Sequence, residues 1–170
     1  AKLYSWAPGS VGHWKLDENT GTSANDSSGN DNTGTLTNSP SWTAGKFGSG
    51  ISFNGSNQHI TRADDSDFDF GTGDASIDFW TRFNNNNNTD DFIRSSNAEI
   101  RIALDHTASL LKVIASGGDI VIHNTTFTAS TATWYHMAWT RSGTDSRSSD
   151  TPTYPDSFPA SVCGRSRQCR

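Results

Sequence analysis

The sequence predicts an all-β protein, a two-sheet antiparallel sandwich. Three observations carry this. Apolar residues fall in short segments that alternate or are rich in β-branched and aromatic residues. Asn, Asp, Ser, Thr and Gly abound, whereas Glu18 and Glu99 are the only glutamates, a balance that suits short strands joined by many turns. No window of about eleven residues has the apolar spacing of an amphipathic helix.

Val11 to Leu16 is expected to open the strand series. Ile51 and Phe53 follow, then His59 to Arg62 after the turn Asn54-Gly55-Ser56. Ile77, Phe79, Thr81 and Phe83 share one face of a strand, with Asp78, Trp80 and Arg82 on the other. The run Asn84 to Asn88 reads as a polar hairpin loop. Ile100, Ile102 and Leu104 alternate with Arg101, Ala103 and Asp105. Leu110 to Ala115 and Asp119 to His123 flank Gly117-Gly118, a hairpin signal. Tyr135, Met137 and Trp139 close the series, alternating with His136, Ala138 and Thr140. Trp14, Phe53, Ile77, Phe79, Ile100 and Ile102 are the expected core.

The 170 residues suit one large β domain with appendages. Only 32% are hydrophobic, so a thin inter-sheet core must draw on nine Phe and six Trp. A net charge of −5 excludes a nucleic-acid footprint, and no apolar run approaches the roughly 20 residues of a membrane span. The chain opens at Ala1 without a signal peptide and reads as a processed form. Composition shifts near Gly143. Before Asp145 there are 15 carboxylates against 9 basic residues; from Asp145 on, four Arg face three Asp, among three of the five prolines and six serines. Residues 1–10 therefore read as an extension, 11–144 as the domain and 145–170 as an irregular tail. Cys163 and Cys169 form a local loop-closing disulfide or stay as free or intermolecular thiols.

Several stretches resemble the laminin-G-like branch of the concanavalin A-like lectin and glucanase superfamily. They are Gly12-His13-Trp14-Lys15-Leu16-Asp17-Glu18 with Asp26-Ser27-Ser28-Gly29-Asn30 and Gly34-Thr35-Leu36, then Gly45-Lys46-Phe47-Gly48 leading into Ile51-Ser52-Phe53-Asn54-Gly55. Phe68-Asp69-Phe70-Gly71-Thr72-Gly73-Asp74, the strand through Trp80, and Trp134-Tyr135-His136-Met137-Ala138-Trp139-Thr140-Arg141 complete the set. The resemblance covers Val11 to Thr144 and implies a jelly roll, with Trp14 and Trp80 between the sheets. It stops at Asp145, where the family continues with further strands. The implied sandwich is incomplete, to be filled by its own tail or a neighbouring chain, or the sequence is truncated or frame-shifted there. Lys2 to Ala7, ending at Pro8-Gly9, could serve as a donor strand for such a neighbour.

Catalytic chemistry finds no foothold. A glucanase needs paired carboxylates about 5 Å apart, and Glu18 and Glu99 are far apart in sequence. Gly-x-Ser-x-Gly, His-Glu-x-x-His and a phosphate loop are missing. The turn Asp26 to Asn32 places hard oxygen ligands close together, so Asp26, Asn30 and Asn32 are candidate calcium ligands, as the resemblance also implies; Asx-turn capping explains the same residues without metal. Trp42, Tyr135 and Trp139 are candidate sugar platforms, of which Tyr135 and Trp139 fit the core equally well. Asn25, Asn54, Asn87 and Asn124 head Asn-x-Ser/Thr glycosylation sequons. The function expected is a non-catalytic structural or adhesion module, extracellular or at the cell surface, self-associating by strand exchange into a fibre. The alternative is a calcium-dependent, lectin-like carbohydrate-binding module; a detached accessory domain of a glycosidase is a third reading.

Overall fold

The alternating segments do form strands, and every strand pair is antiparallel. The computed structural model describes residues 9–69, 74–95, 100–115, 120–142 and 145–152. Among them the only helical segment is a 3-10 turn, Ser66–Phe68, and no helix is long and apolar enough to cross a membrane. The chain divides into two compact units, Ala1–Asp69 and Phe70–Arg170.

The first unit is built from very short strands. β1 (Ser23–Ala24), β2 (Gly34–Thr37) and β5 (His59–Thr61) form one sheet in the order β1-β2-β5. Leu36 pairs with Ile60 there, and Leu36 and Ala24 are buried. β3 (Ser41–Ala44) and β4 (Ser49–Ser52) form a separate hairpin. Its tip closes through Gly45 N–H donating to the Gly48 carbonyl at 3.0 Å. Gly48 has φ +63°, a conformation glycine adopts without strain, and an added Cβ there would stand 2.5 Å from Asp17 Oδ1, which would have to move.

The second unit is a two-sheet sandwich. β6 (Ala75–Arg82), β11 (Trp134–Ser142) and β12 (Asp145–Pro152) form one sheet in the order β12-β11-β6. β7 (Thr89–Arg94), β8 (Arg101–Asp105), β9 (Leu110–Ala115) and β10 (Ile120–Thr126) form the other, in the order β10-β9-β8-β7. Period-two alternation sends Tyr135, Met137 and Trp139 inward from β11, to meet Ile102, Leu104, Leu111 and Val113 from the facing sheet. Phe83, Phe127 and Ala129 cap this layer. Each Leu, Ile, Val, Phe or Met side chain among these contributes about 1.5–3 kcal/mol by leaving water. Buried Tyr135 keeps its hydroxyl satisfied by accepting the Ser130 N–H at 2.9 Å.

Several expectations need correction. Val11 to Leu16 contributes only an isolated bridge, Trp14 to Asp26, because Leu16 turns to φ +58° and breaks the extended run. Phe53 is 40% exposed: β4 ends at Ser52, so the alternation that would have turned Phe53 inward has lapsed. Trp14 lies in the first unit, stacked at 6.3 Å on Phe68, and Trp80 sits on the face of β6 opposite the core. Ile100 and Ile102 are buried as expected, with Ile77 and Phe79 packed against the cluster. Asn84 to Asn88 joins β6 to β7, which lie in different sheets, so it is a crossover and not a hairpin. Residues of the expected domain 11–144 fall in both units. Residues 145–152, expected to be irregular, form β12 through a continuous backbone ladder with β11. The proposed donor Lys2 to Ala7, Gly117-Gly118, and the tail beyond Pro152 lie outside the described residues.

Candidate functional site

The turn Asp26 to Asn32 is organised by one carboxylate. Asp26 Oδ1 accepts the His13 and Ser28 N–H groups, each at 2.8 Å; Oδ2 accepts the Ser28 hydroxyl at 2.6 Å and the Asn32 N–H at 3.0 Å. Desolvation works to raise the Asp26 pKa, but the Ser28 hydroxyl and the three N–H groups together outweigh it and lower it from 3.8 to about 2. Asn30 and Asn32 turn their Nδ2 groups, not their oxygens, onto the Ser10 and Val11 carbonyls. Asn32 is fully buried, and its backbone carbonyl accepts the Trp14 indole N–H at 2.8 Å.

As a set of calcium ligands the turn is largely engaged already, although the buried Asn32 Oδ1 has no hydrogen-bond partner. A cation needs oxygen lone pairs facing it, and here those of Asp26 face hydrogen. The residues Asp26, Asn30 and Asn32 are brought together, but as an Asx-type turn that pins the loop to residues 10–13. Binding a cation would require displacing those donors.

The other predicted sites scatter. Trp42 is half-buried on β3, its indole N–H donating to the Gly21 carbonyl at 3.0 Å, which fixes the ring to the loop beside it. Tyr135 and Trp139 are 5% and 2% exposed, so neither offers a ring face to a sugar. Asn25, Asn54 and Asn87 are exposed at loop positions, and Asn124 lies within β10. Glu18 Oε1 accepts the Asn25 N–H at 2.7 Å, while Glu99, Cys163 and Cys169 lie outside the described residues.

A cluster that sequence reasoning overlooked lies on the outer face of β6 and β11. Register pairs Trp80 with His136 and Arg82 with Trp134. The Trp80 and His136 rings are 5.0 Å apart, and His136 Nε2 lies 3.3 Å from Asp78 Oδ1. Trp80, Trp134 and His136 are half-buried and Asp78 is exposed. The signal was present: Asp78, Trp80 and Arg82 alternate with the core residues, and His136 alternates with Met137. Assigning Trp80 to the core concealed it.

Among the described residues the other charged pairs stand singly, one of them the local Arg62–Asp65 contact at 3.2 Å. Arg101 meets Asp91 at 2.6 Å, Lys112 meets Asp105 at 2.7 Å, and His106 meets Asp90 at 2.9 Å. The Lys112 hydrogen bond is the main cause of the lowered Asp105 pKa. Among the described residues, no three His, Cys, Asp or Glu side chains gather in a way that could hold a metal ion. Compared with known proteins, the chain matches no family model, no curated protein and no solved structure.

Proposed function

We propose that this chain is a non-catalytic structural or adhesion module that works outside the cell and associates with further copies through its sheet edges. The observation that carries this reading is the contrast between edge strands in the second unit. β7 and β10, at the edges of one sheet, each contain a register shift, the irregularity that discourages further pairing. β6 and β12 are the edges of the other sheet among the described residues, and each keeps an unbroken register with β11, β6 from Ala75 to Arg82 and β12 from Asp145 to Pro152. A regular edge of that length is a template for an added strand. Lys2 to Ala7 is the proposed donor, and a donor passed head to tail makes an open fibre. Exposed sequon asparagines at 25, 54 and 87 support placement outside the cell.

The test is size measured across a range of concentrations, for the full chain, for a form lacking residues 1–9, and for Ser76→Lys, which adds a charge to an exposed position of β6. Assembly that both changes weaken supports edge association. Equal assembly of all three forms rejects it.

A second reading has its own observation. The rings of Trp80 and Trp134, with Asp78, Arg82 and His136 as hydrogen-bonding neighbours, have the chemistry of a sugar platform, stacking groups flanked by polar ones. On this reading the module is lectin-like and the laminin-G-like resemblance extends to function. Glycan-array binding lost in Trp80→Ala and His136→Ala, with the fold retained, would favour it; binding that chelator removes would move the site to calcium.

A further inference from the structure

We propose that Asn54-Gly55 is a self-modifying site, at which the folded loop promotes closure of the Asn54 side chain onto its own backbone. Asn54-Gly55 is the one Asn-Gly step in the chain. It lies in the exposed loop between β4 and β5. Gly55 has φ +68° and is exposed, and it carries no side chain of its own to hinder the approach of its nitrogen to Asn54 Cγ. That nitrogen is placed by the covalent chain to form a five-membered ring with Asn54 Cγ.

The loop is also polarised for this reaction. Asn54 Oδ1 accepts three backbone N–H groups, from Ser56 at 2.9 Å, Asn57 at 3.2 Å and Gln58 at 3.3 Å. Donors converging on one carbonyl oxygen draw charge from its carbon and stabilise an oxyanion formed there. The Asn54 Nδ2 group donates to Asn57 Oδ1 at 3.0 Å, which holds the leaving amine away from those donors. Gln58 fixes the arrangement: its Oε1 accepts the Asn54 N–H, and its Nε2 donates to the Asn38 and Ser39 carbonyls.

Hydroxide removes the Gly55 amide proton, and the nitrogen bonds to Asn54 Cγ. Oδ1 carries the negative charge against the three N–H groups; water protonates the –NH2 group, and the intermediate collapses to a succinimide, releasing ammonia and returning hydroxide. Water then opens the ring at either carbonyl, giving aspartate or isoaspartate. No redox partner is required. The aspartate product keeps its three donors as charge-assisted bonds, whereas isoaspartate lengthens the backbone by one carbon and dislocates the loop. Because ammonia loss consumes Nδ2, it competes directly with glycan attachment at the same sequon.

The test is incubation of the full chain in mildly alkaline buffer, folded and in denaturant, with peptide mapping of the –NH2 to –OH mass change at Asn54. Asn25 and Asn87 in the same digest serve as internal references. The folded chain should convert Asn54 about tenfold faster than the denatured chain, a small part of what one oxyanion-hole donor supplies in an enzyme. Conversion that is equal or slower in the folded chain overturns the proposal.

Discussion

At the residue scale, Asp26 is the side chain on which most of the first unit's loop depends. Asp26→Ala leaves the His13, Ser28 and Asn32 N–H groups without their acceptor and should cost about 2 kcal/mol, the range for hydrogen bonds to a charged group. Its pKa is depressed on folding, so its contribution is complete above pH 3.8 and is lost as pH falls through about 2. Acid titration followed by circular dichroism should show an unfolding step in that window, absent in Asp26→Asn. Chelator should leave the melting temperature unchanged, because the carboxylate already faces hydrogen. A melting temperature that falls with chelator would reject this account of the turn. The participants in this turn were legible from its Asx chemistry, but their roles were not. Oxygen-rich composition reads the same whether the oxygens point at a cation or at the backbone.

At the scale of elements, β11 is the strand that most determines the second unit, because it pairs on both sides and supplies Tyr135, Met137 and Trp139 to the core. Met137→Ala should cost about 2–5 kcal/mol in denaturant unfolding, while Phe53→Ala should change stability by about 0.5 kcal/mol or less. The indole N–H of Trp139 has no partner in the core, so Trp139→Phe removes a desolvated donor along with some buried area, and should fall within about 1 kcal/mol of wild type. Truncation after Ser142 removes β12 and should lower the unit's melting temperature by at least about 4 °C. Strands β8, β9, β10 and β11 were legible because apolar alternation writes burial directly into sequence. β12 was not: Asp145 to Pro152 has no aliphatic or aromatic residue to alternate, and its pairing uses backbone groups that nearly every residue carries. β3 and β7 escaped notice because Trp42 and Phe92 stand among polar neighbours.

At the scale of the whole molecule, the all-β class followed from turn-rich composition, but the division at Asp69 had no marker, since it falls inside the Phe68 to Asp74 motif. Asp26→Ala should therefore shift one calorimetric transition and Met137→Ala another. A single transition moved by both would show that the units unfold together. The pairing of β6 has a further consequence, in time. Arg82 meets Trp134 and Ala75 meets Arg141, so β6 leaves the ribosome well before its partner exists. At roughly 5–20 residues per second, Ile77 and Phe79 wait several seconds with their strand unpaired. Synthesis rate and chaperone supply, more than equilibrium stability, should set the yield of soluble protein. Slower translation through residues 83–141 prolongs that wait and should send more of the chain into aggregates.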